Sequence, residues 1–381
     1  MNVLISCGEA SGDLYAGALA TELREIDPSV HVRGFGGAKL AAAGAELFGD
    51  YHRFAVTGIV DALAVLPRSW RMLRTLGEAA RRERPDVFVA VDFPDFNFRL
   101  LPVMRRLGVP VVYYVSPQLW AWRPGRIDHL RRYVNQMLVI FPFEVPIYEQ
   151  AGVPVEFVGH PLVELLASGE TRERWLGGRG LDPAKPVVAL LPGSRPNEIR
   201  RLLPVLLGAV PEVRRTIPAA QFVIARAPAL SDELFAAVSA VPGVVMSEGA
   251  TDQVLSAADV VITASGTATV QTALHDRPMV IVYRVSGLDA IIGRAVLRLS
   301  TFGMVNLIAG RTIVPEVIQE ACTPERVARE AVSLLTDAPR AATMRRDLAA
   351  VRTALGGRGA SGRAAAAVAR VVAQSRARVK Y

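Results

Sequence analysis

Four short stretches bring together residue types that could do chemistry. Asp92 and Asp95 stand in Val-Asp-Phe-Pro-Asp-Phe-Asn (91–97), directly after the apolar run Val87–Val91. Either carboxylate could take a proton from a hydroxyl, and Pro94 between them stiffens the loop. Glu9 and Ser11 stand in Gly-Glu-Ala-Ser-Gly-Asp (8–13), after a first apolar run at Val3–Ser6. Ser194 and Arg195 follow the run Val187–Leu191, and Ser265, Gly266 and Thr267 follow Val260–Thr263. At those two places a helix start would turn backbone N–H groups toward an anion. Gly193 lets backbone come close to a ligand, and Arg195 adds a planar fork suited to phosphate oxygens. The plain reading of each stretch is a strand-to-helix turn, with an Asp capping a helix and an Arg facing water. Two anion-competent loops behind strands of one sheet carry more weight than either alone.

These loops need elements to hold them. Short apolar runs, each ending in a glycine-bearing or polar loop before a helical pattern, read as parallel strands of doubly wound α/β domains. In the first half the runs are Val3–Ser6, His31–Gly34, Val87–Val91, Val109–Val115, Met137–Ile140 and Val155–Val158. In the second half they are Val187–Leu191, Gln221–Ala225, Val244–Met246, Val260–Thr263 and Met279–Tyr283. The first helix is predicted from about Leu14 to Glu25, with Asp13 as a capping candidate. The first loop does not spell GxGxxG, so a dinucleotide fingerprint is unsupported and a dehydrogenase is disfavoured. The turn-rich Gly177–Lys185 reads as a boundary. It divides the chain into an N-terminal domain over 1–175, a second over 176–345, and C-terminal helices over 346–381 that pack back on the first.

Size agrees, since 381 residues exceed what one core usually covers. The net charge of +8 fits nucleic acid, an anionic membrane surface or phosphorylated substrates. The Arg residues are spread over helices, which argues against a nucleic-acid tail. The two cysteines, Cys7 and Cys322, sit in no CxxC or Cys/His cluster. No metal site or disulfide framework is expected, and the compartment reads as reducing, hence cytoplasmic. The start of the chain reads as a strand and not a signal peptide, and no window is apolar enough to span a membrane. Phe54–Arg74 is different. Ile59, Leu63, Leu66, Trp70 and Leu73 recur at helical spacing, joined late by Arg68, Arg71 and Arg74, and Pro67 should break or kink the run. The face is either core or a surface that dips into a membrane interface with Arg at the headgroups.

The ordered motifs narrow this further. GEASGD (8–13), GFGG (34–37), VDFPDFN (91–97), YYVSPQLWAWR (113–123), FPFE (141–144), VGHPL (158–162), LLPGSR (190–195), TASGTAT (263–269) and NLIAGRTIVPEVIQ (306–319) occur in sequence. Together they resemble the lipid-A-disaccharide synthase family, from about Val3 to beyond Gln319. The resemblance implies a GT-B architecture, two Rossmann-like domains facing a central cleft. It also implies an inverting transfer from UDP-2,3-diacylglucosamine to the 6-hydroxyl of 2,3-diacylglucosamine 1-phosphate. The products would be a β-1,6-linked disaccharide 1-phosphate and UDP.

Roles follow from that implication. The candidates for the base are Glu9, Asp92 and Asp95, with Asp95 narrowly ahead of Asp92; Glu9 and Ser11 would orient donor or acceptor hydroxyls. Arg195, Ser194 and the helix start at Ser265, Gly266 and Thr267 would neutralise the leaving diphosphate. Asn306 and Arg311 would lie near sugar and phosphate. Glu316 and Gln319, three apart on a predicted helix start, would meet ribose or sugar hydroxyls. No metal or other cofactor is expected. His160 reads as a packed or capping histidine. Trp120 and Trp122 alternate, one toward the core and one toward the cleft. Arg123 and Arg126 either meet the acceptor phosphate or face water. Acylated substrates re-weight Ile59, Leu63, Leu66, Trp70 and Leu73 as a membrane-contact face, with the protein peripheral on the inner face of the inner membrane. A homodimer is compatible with this reading. The rival readings are a related transferase or epimerase acting on soluble UDP-N-acetylglucosamine, and a non-enzymatic basic module that binds nucleic acid or anionic lipid.

Overall fold

Runs such as Val87–Val91 and Val187–Leu191 are buried at every position. A strand covered on both faces reads as an unbroken apolar run, and that is the signature of a parallel sheet between helices. The computed structural model describes residues 1–54, 59–119, 124–167, 169–228, 230–284, 301 and 303–379. Two α/β units result, Met1–Glu164 with Leu355–Tyr381 and Leu165–Ala354.

In the first unit the chain runs β1 (Asn2–Cys7), α1 (Ala10–Ile26), β2 (His31–Gly36), α2 (Ala38–Ala42), β3 (Glu46–Asp50) and α3 (Ile59–Arg82). It continues through β4 (Val87–Val91), α4 (Pro94–Arg106), β5 (Val111–Tyr114), α5 (Ile127–Tyr133), β6 (Gln136–Val139), α6 (Val145–Gln150), β7 (Val155–Phe157) and α7 (Leu162–Leu165). The seven strands lie in the order β3-β2-β1-β4-β5-β6-β7, and every pair is parallel. The order reverses between β1 and β4. Crevices outside the carboxyl ends of strands at such a switch point are where open α/β sheets bind ligands.

The second unit runs α8 (Arg172–Gly177), β8 (Val187–Leu191), α9 (Pro196–Thr216), β9 (Gln221–Arg226), β10 (Val244–Glu248), α10 (Thr251–Ala257), β11 (Val260–Ala264) and α11 (Thr267–Leu274). After β12 (Met279–Tyr283) come α12 (Met304–Ala309), β13 (Glu316–Ile318), α13 (Pro324–Thr336) and α14 (Ala338–Ala354). Its order is β10-β9-β8-β11-β12-β13, again all parallel, with the switch between β8 and β11.

The units divide elsewhere than at residues 175 and 345. Trp175 and Leu176 are buried, and Arg172 of α8 pairs with Asp259 at 2.8 Å, so the chain from Leu165 onward belongs to the second unit. α14 stays with that unit, against α11 and α12. Only α15 (Ala360–Val379) returns to the first unit, against α1, β4 and β5. There Glu164 accepts hydrogen bonds from the amides of Gly359 and Ser361 and so caps it.

Two strands escape the sequence reading, β3 and β13. Both are short edge strands with polar residues, Glu-Leu-Phe-Gly-Asp and Glu-Val-Ile, and lack the apolar run of a buried strand. α1 begins at Ala10, four residues before Leu14, so GEASGD is a helix start and not a free loop.

α3 runs unbroken through Pro67. Its later turns face the core through Leu73, Leu76 and Ala80, packed with Leu4, Phe35, Phe88, Leu100 and Met104. Leu73 is 8% exposed and is therefore a core residue, not a membrane-contact one. Trp70, one turn earlier on the same stripe, is 57% exposed, with Arg99 5.1 Å over its ring. The side chains of Ile59, Leu63 and Leu66 lie outside the described residues, as do Trp120, Trp122 and Arg123.

Candidate active site

In the first unit the carboxylate loops flank the switch point. Cys7 and Val91 pair across β1 and β4, which puts Glu9 and Asp92 just beyond adjacent strand ends. Glu9 is the N-cap position of α1, and Ser11 lies in that helix's first turn. Asp13, in the same turn, is buried and accepts hydrogen bonds from the amides of Gly37 (2.7 Å), Lys39 (2.9 Å) and Leu40 (3.1 Å). It therefore caps α2, a different helix from the one that contains it, and joins the GEASGD and GFGG motifs.

The loop after β4 holds two successive non-glycine residues in the left-handed region, Asp92 at φ 46° and Phe93 at φ 48°. Such residues cost on the order of 1–3 kcal/mol each and persist only where surroundings over-determine them. Three hydrogen bonds and the packing of one ring do so. The Asp92 carbonyl accepts from Tyr113 Oη at 2.8 Å and from Asn97 Nδ2 at 2.8 Å. The same Asn97 amide reaches the Ser6 carbonyl of β1 at 3.3 Å. Phe93 stacks on Phe96 and lies so close to Gly8 that an added methyl there would fall on its ring. Asp95 then enters the first turn of α4 after Pro94. Its carboxylate is 68% exposed and pairs with Arg126 at 2.9 Å. Arg126 thus has a carboxylate partner, which neither of its sequence readings foresaw. Tyr113 and Asn97 carried no assigned role in the sequence. Their signal was weak: a Tyr on a buried strand, and an Asn five residues after an Asp.

In the second unit Thr263 pairs with Leu191, so the Ser194–Arg195 and Ser265–Thr267 loops also flank a switch point. They differ in how their helix starts are satisfied. Glu198 accepts from the amides of Ser194 (3.1 Å) and Arg195 (3.3 Å), and its other oxygen lies 3.6 Å from the Arg195 guanidinium. Gly193, at φ 112°, makes room for it, since a methyl there would meet the Glu198 side chain. The chain's own carboxylate therefore occupies those two amides, while Ser194 and Arg195 face solvent. The start of α11 is different: its N-cap residue is Gly266, which has no side chain to offer. Gly266 there has φ 144° and open space around its Cβ position.

The remaining donor-side candidates stand apart from this switch point, beyond β12. Asn306 is buried, and its amide donates to the Val314 carbonyl and Glu316 Oε1 and accepts from the amides of Ile313 and Val314. It shapes the 306–316 loop from inside. Arg311 pairs with Asp347 at 2.6 Å. Glu316 lies on β13, and Gln319 begins a 3-10 turn after it. The two do not share a helix face. Gln319 is left-handed at φ 55°.

His160 is buried beside Tyr15 and Phe141. Its Nδ1 accepts from the Leu162 amide at 3.2 Å, and burial pushes its pKa down to about 3. It stays neutral and structural. Among the described residues no group of three or more His, Cys, Asp and Glu is arranged to hold a metal, and no helix is long and apolar enough to cross a membrane.

Two successive parallel α/β units, each with its candidate loops at the switch point, define the GT-B class. Solved structures with this fold include the UDP-GlcNAc 2-epimerase of Neisseria meningitidis bound to UDP-GlcNAc, with a TM-score of 0.70 at 12% identity, covering 97% of this chain and 100% of that one. A calicheamicin glycosyltransferase matches with a TM-score of 0.60 at 17% identity, covering 98% of both. The family model for lipid-A-disaccharide synthetase matches residues 3–371. The lipid-A-disaccharide synthase of Geobacter metallireducens is 41% identical over 376 residues, 98% of each chain. That of Myxococcus xanthus is 43% identical over 369 residues, 96% of each. This chain belongs to the lipid-A-disaccharide synthase family.

Proposed function

We propose that the chain transfers 2,3-diacylglucosamine from UDP to the 6-hydroxyl of 2,3-diacylglucosamine 1-phosphate, with inversion, releasing UDP. It is a glycosyltransferase of lipid A biosynthesis, and a UDP-sugar and a phosphorylated sugar are its substrates. The family match across residues 3–371, which takes in both α/β units, carries this reading. An epimerase acting on a soluble UDP-sugar has only a shared fold behind it, at 12% identity.

The reaction needs a base at the acceptor hydroxyl and positive charge at the leaving diphosphate. We assign the base to Asp95, exposed in the first turn of α4 and oriented by Arg126. Asp92, Glu9 and Ser11 then orient the acceptor. Arg195 and Ser194, with the helix start at Ser265, Gly266 and Thr267, receive charge as it develops on UDP. No metal is required in this scheme. Glu316 and Gln319 are assigned to sugar or ribose hydroxyls, with Asn306 and Arg311 holding the segment before them.

Acyl chains keep both substrates in the inner membrane's cytoplasmic leaflet, so the proposal includes peripheral association with that surface. Trp70, with the exposed Arg68, Arg71 and Arg74 around it, supports this. The test is UDP release with labelled acylated acceptor. Turnover only with both acylated substrates is expected; equal turnover of UDP-N-acetylglucosamine without acceptor would overturn the reading.

A further inference from the structure

The chemistry assigned to Asp95 depends on a loop that its own sequence does not favour. Asp92 and Phe93 are both left-handed without being glycine, and the chain must be held there for Pro94 and Asp95 to begin α4 where they do. Two side-chain donors hold the Asp92 carbonyl. Tyr113 Oη comes from β5, the neighbouring strand, and Asn97 Nδ2 comes from the second turn of α4; each lies 2.8 Å from the Asp92 carbonyl. Tyr113 and Asn97 are both fully buried, so neither bond is traded for one to water at low cost. Asn97 also ties this point to the Ser6 carbonyl, in the strand that ends before Glu9. Burial beside Asp92 pushes the Tyr113 phenol far up, so its hydroxyl remains a donor through the working pH range.

We propose that Tyr113 and Asn97 are positioning residues for the transfer, clamping the Asp92 carbonyl so that the Asp95 carboxylate meets the acceptor hydroxyl. The proposal rests on the assignment of Asp95 as base. Neither residue touches substrate in this scheme; each acts through the loop. Loss of one clamp lets the loop relax toward ordinary dihedrals and moves the base, and small misplacements of that kind cost about ten- to a hundred-fold in rate.

The experiment is steady-state UDP release by Tyr113→Phe, which removes one hydroxyl and nothing else, in the wild-type and Asp95→Asn backgrounds. Expected in the wild-type background is a fall in kcat of about ten- to a hundred-fold, with KM for both substrates within about two-fold. In the Asp95→Asn background, Tyr113→Phe should cost nothing further, because a positioning residue has nothing left to position. Equal losses in both backgrounds overturn the proposal, since Tyr113 would then act by another route. Near-normal kcat for Tyr113→Phe alongside an inactive Asp95→Asn overturns the proposal and leaves the base assignment standing. Near-normal kcat for Asp95→Asn alone overturns both. A circular-dichroism melt accompanies each variant. Should Tyr113→Phe fail to fold, Asn97→Ser, which withdraws the other donor, is read by the same cycle.

Discussion

The guanidinium of Arg126 lies 2.9 Å from the Asp95 carboxylate, 31 residues away in the chain. Asp95 is largely exposed, and exposed pairs contribute little to stability, about 0–1 kcal/mol. The pair is better explained by what it orients. Arg126→Ala should therefore change unfolding free energy by less than about 1 kcal/mol while lowering kcat roughly ten-fold. Denaturant melts and steady-state kinetics on one preparation check this. A stability loss with no kinetic effect would make the pair merely structural.

Arg195 and Glu198 should separate cleanly. Arg195→Ala removes charge from the assigned leaving-group side, and kcat should fall about a hundred-fold or more. Glu198→Ala uncovers the amides of Ser194 and Arg195 and removes a cap, costing about 0.5–2 kcal/mol of stability. Normal turnover by Arg195→Ala, measured as UDP release, would sink its assigned role.

Trp70 and Leu73 sit three residues apart on α3 and should behave as opposites. Leu73→Ala opens the core and should destabilise the protein by about 2–5 kcal/mol. Trp70→Ser should leave the melting curve nearly unchanged and reduce sedimentation with anionic phospholipid vesicles. Undiminished vesicle binding by Trp70→Ser would count against the membrane face.

His160 gives a pH dependence of known sign. Its pKa is about 3 in the folded protein against an ordinary 6.5. Between those values the unfolded chain takes up a proton that the folded chain refuses. Stability from this group is complete above about pH 6.5 and falls as pH drops, by up to about 1.4 kcal/mol per unit. Going from pH 7.5 to 5.0, wild type should lose about 2 kcal/mol more than His160→Leu. Parallel pH profiles in urea unfolding would refute this.

Sequence alone determined the fold class and the loops that matter. Buried parallel strands need apolar residues on both faces, so Val87–Val91 and Val187–Leu191 declare themselves, and ligands bind where such strands end. The motifs from GEASGD to NLIAGRTIVPEVIQ carried the family. Short polar edge strands give no such signal, so the three-residue spacing of Glu316 and Gln319 imitates a helix start where the chain forms β13 and a 3-10 turn.

Tertiary structure decided which residues serve each loop, because hydrogen-bond partners come from elements distant in the chain. Asp13 caps the helix after Gly37. Arg126 pairs with Asp95. Leu73 turns to the core while Trp70, on the same stripe, does not. Tyr113 reaches the Asp92 carbonyl only because β5 lies beside β4. Periodicity and composition describe what each segment buries, but a partner 20 or more residues away is fixed only when the sheet brings it within hydrogen-bonding range.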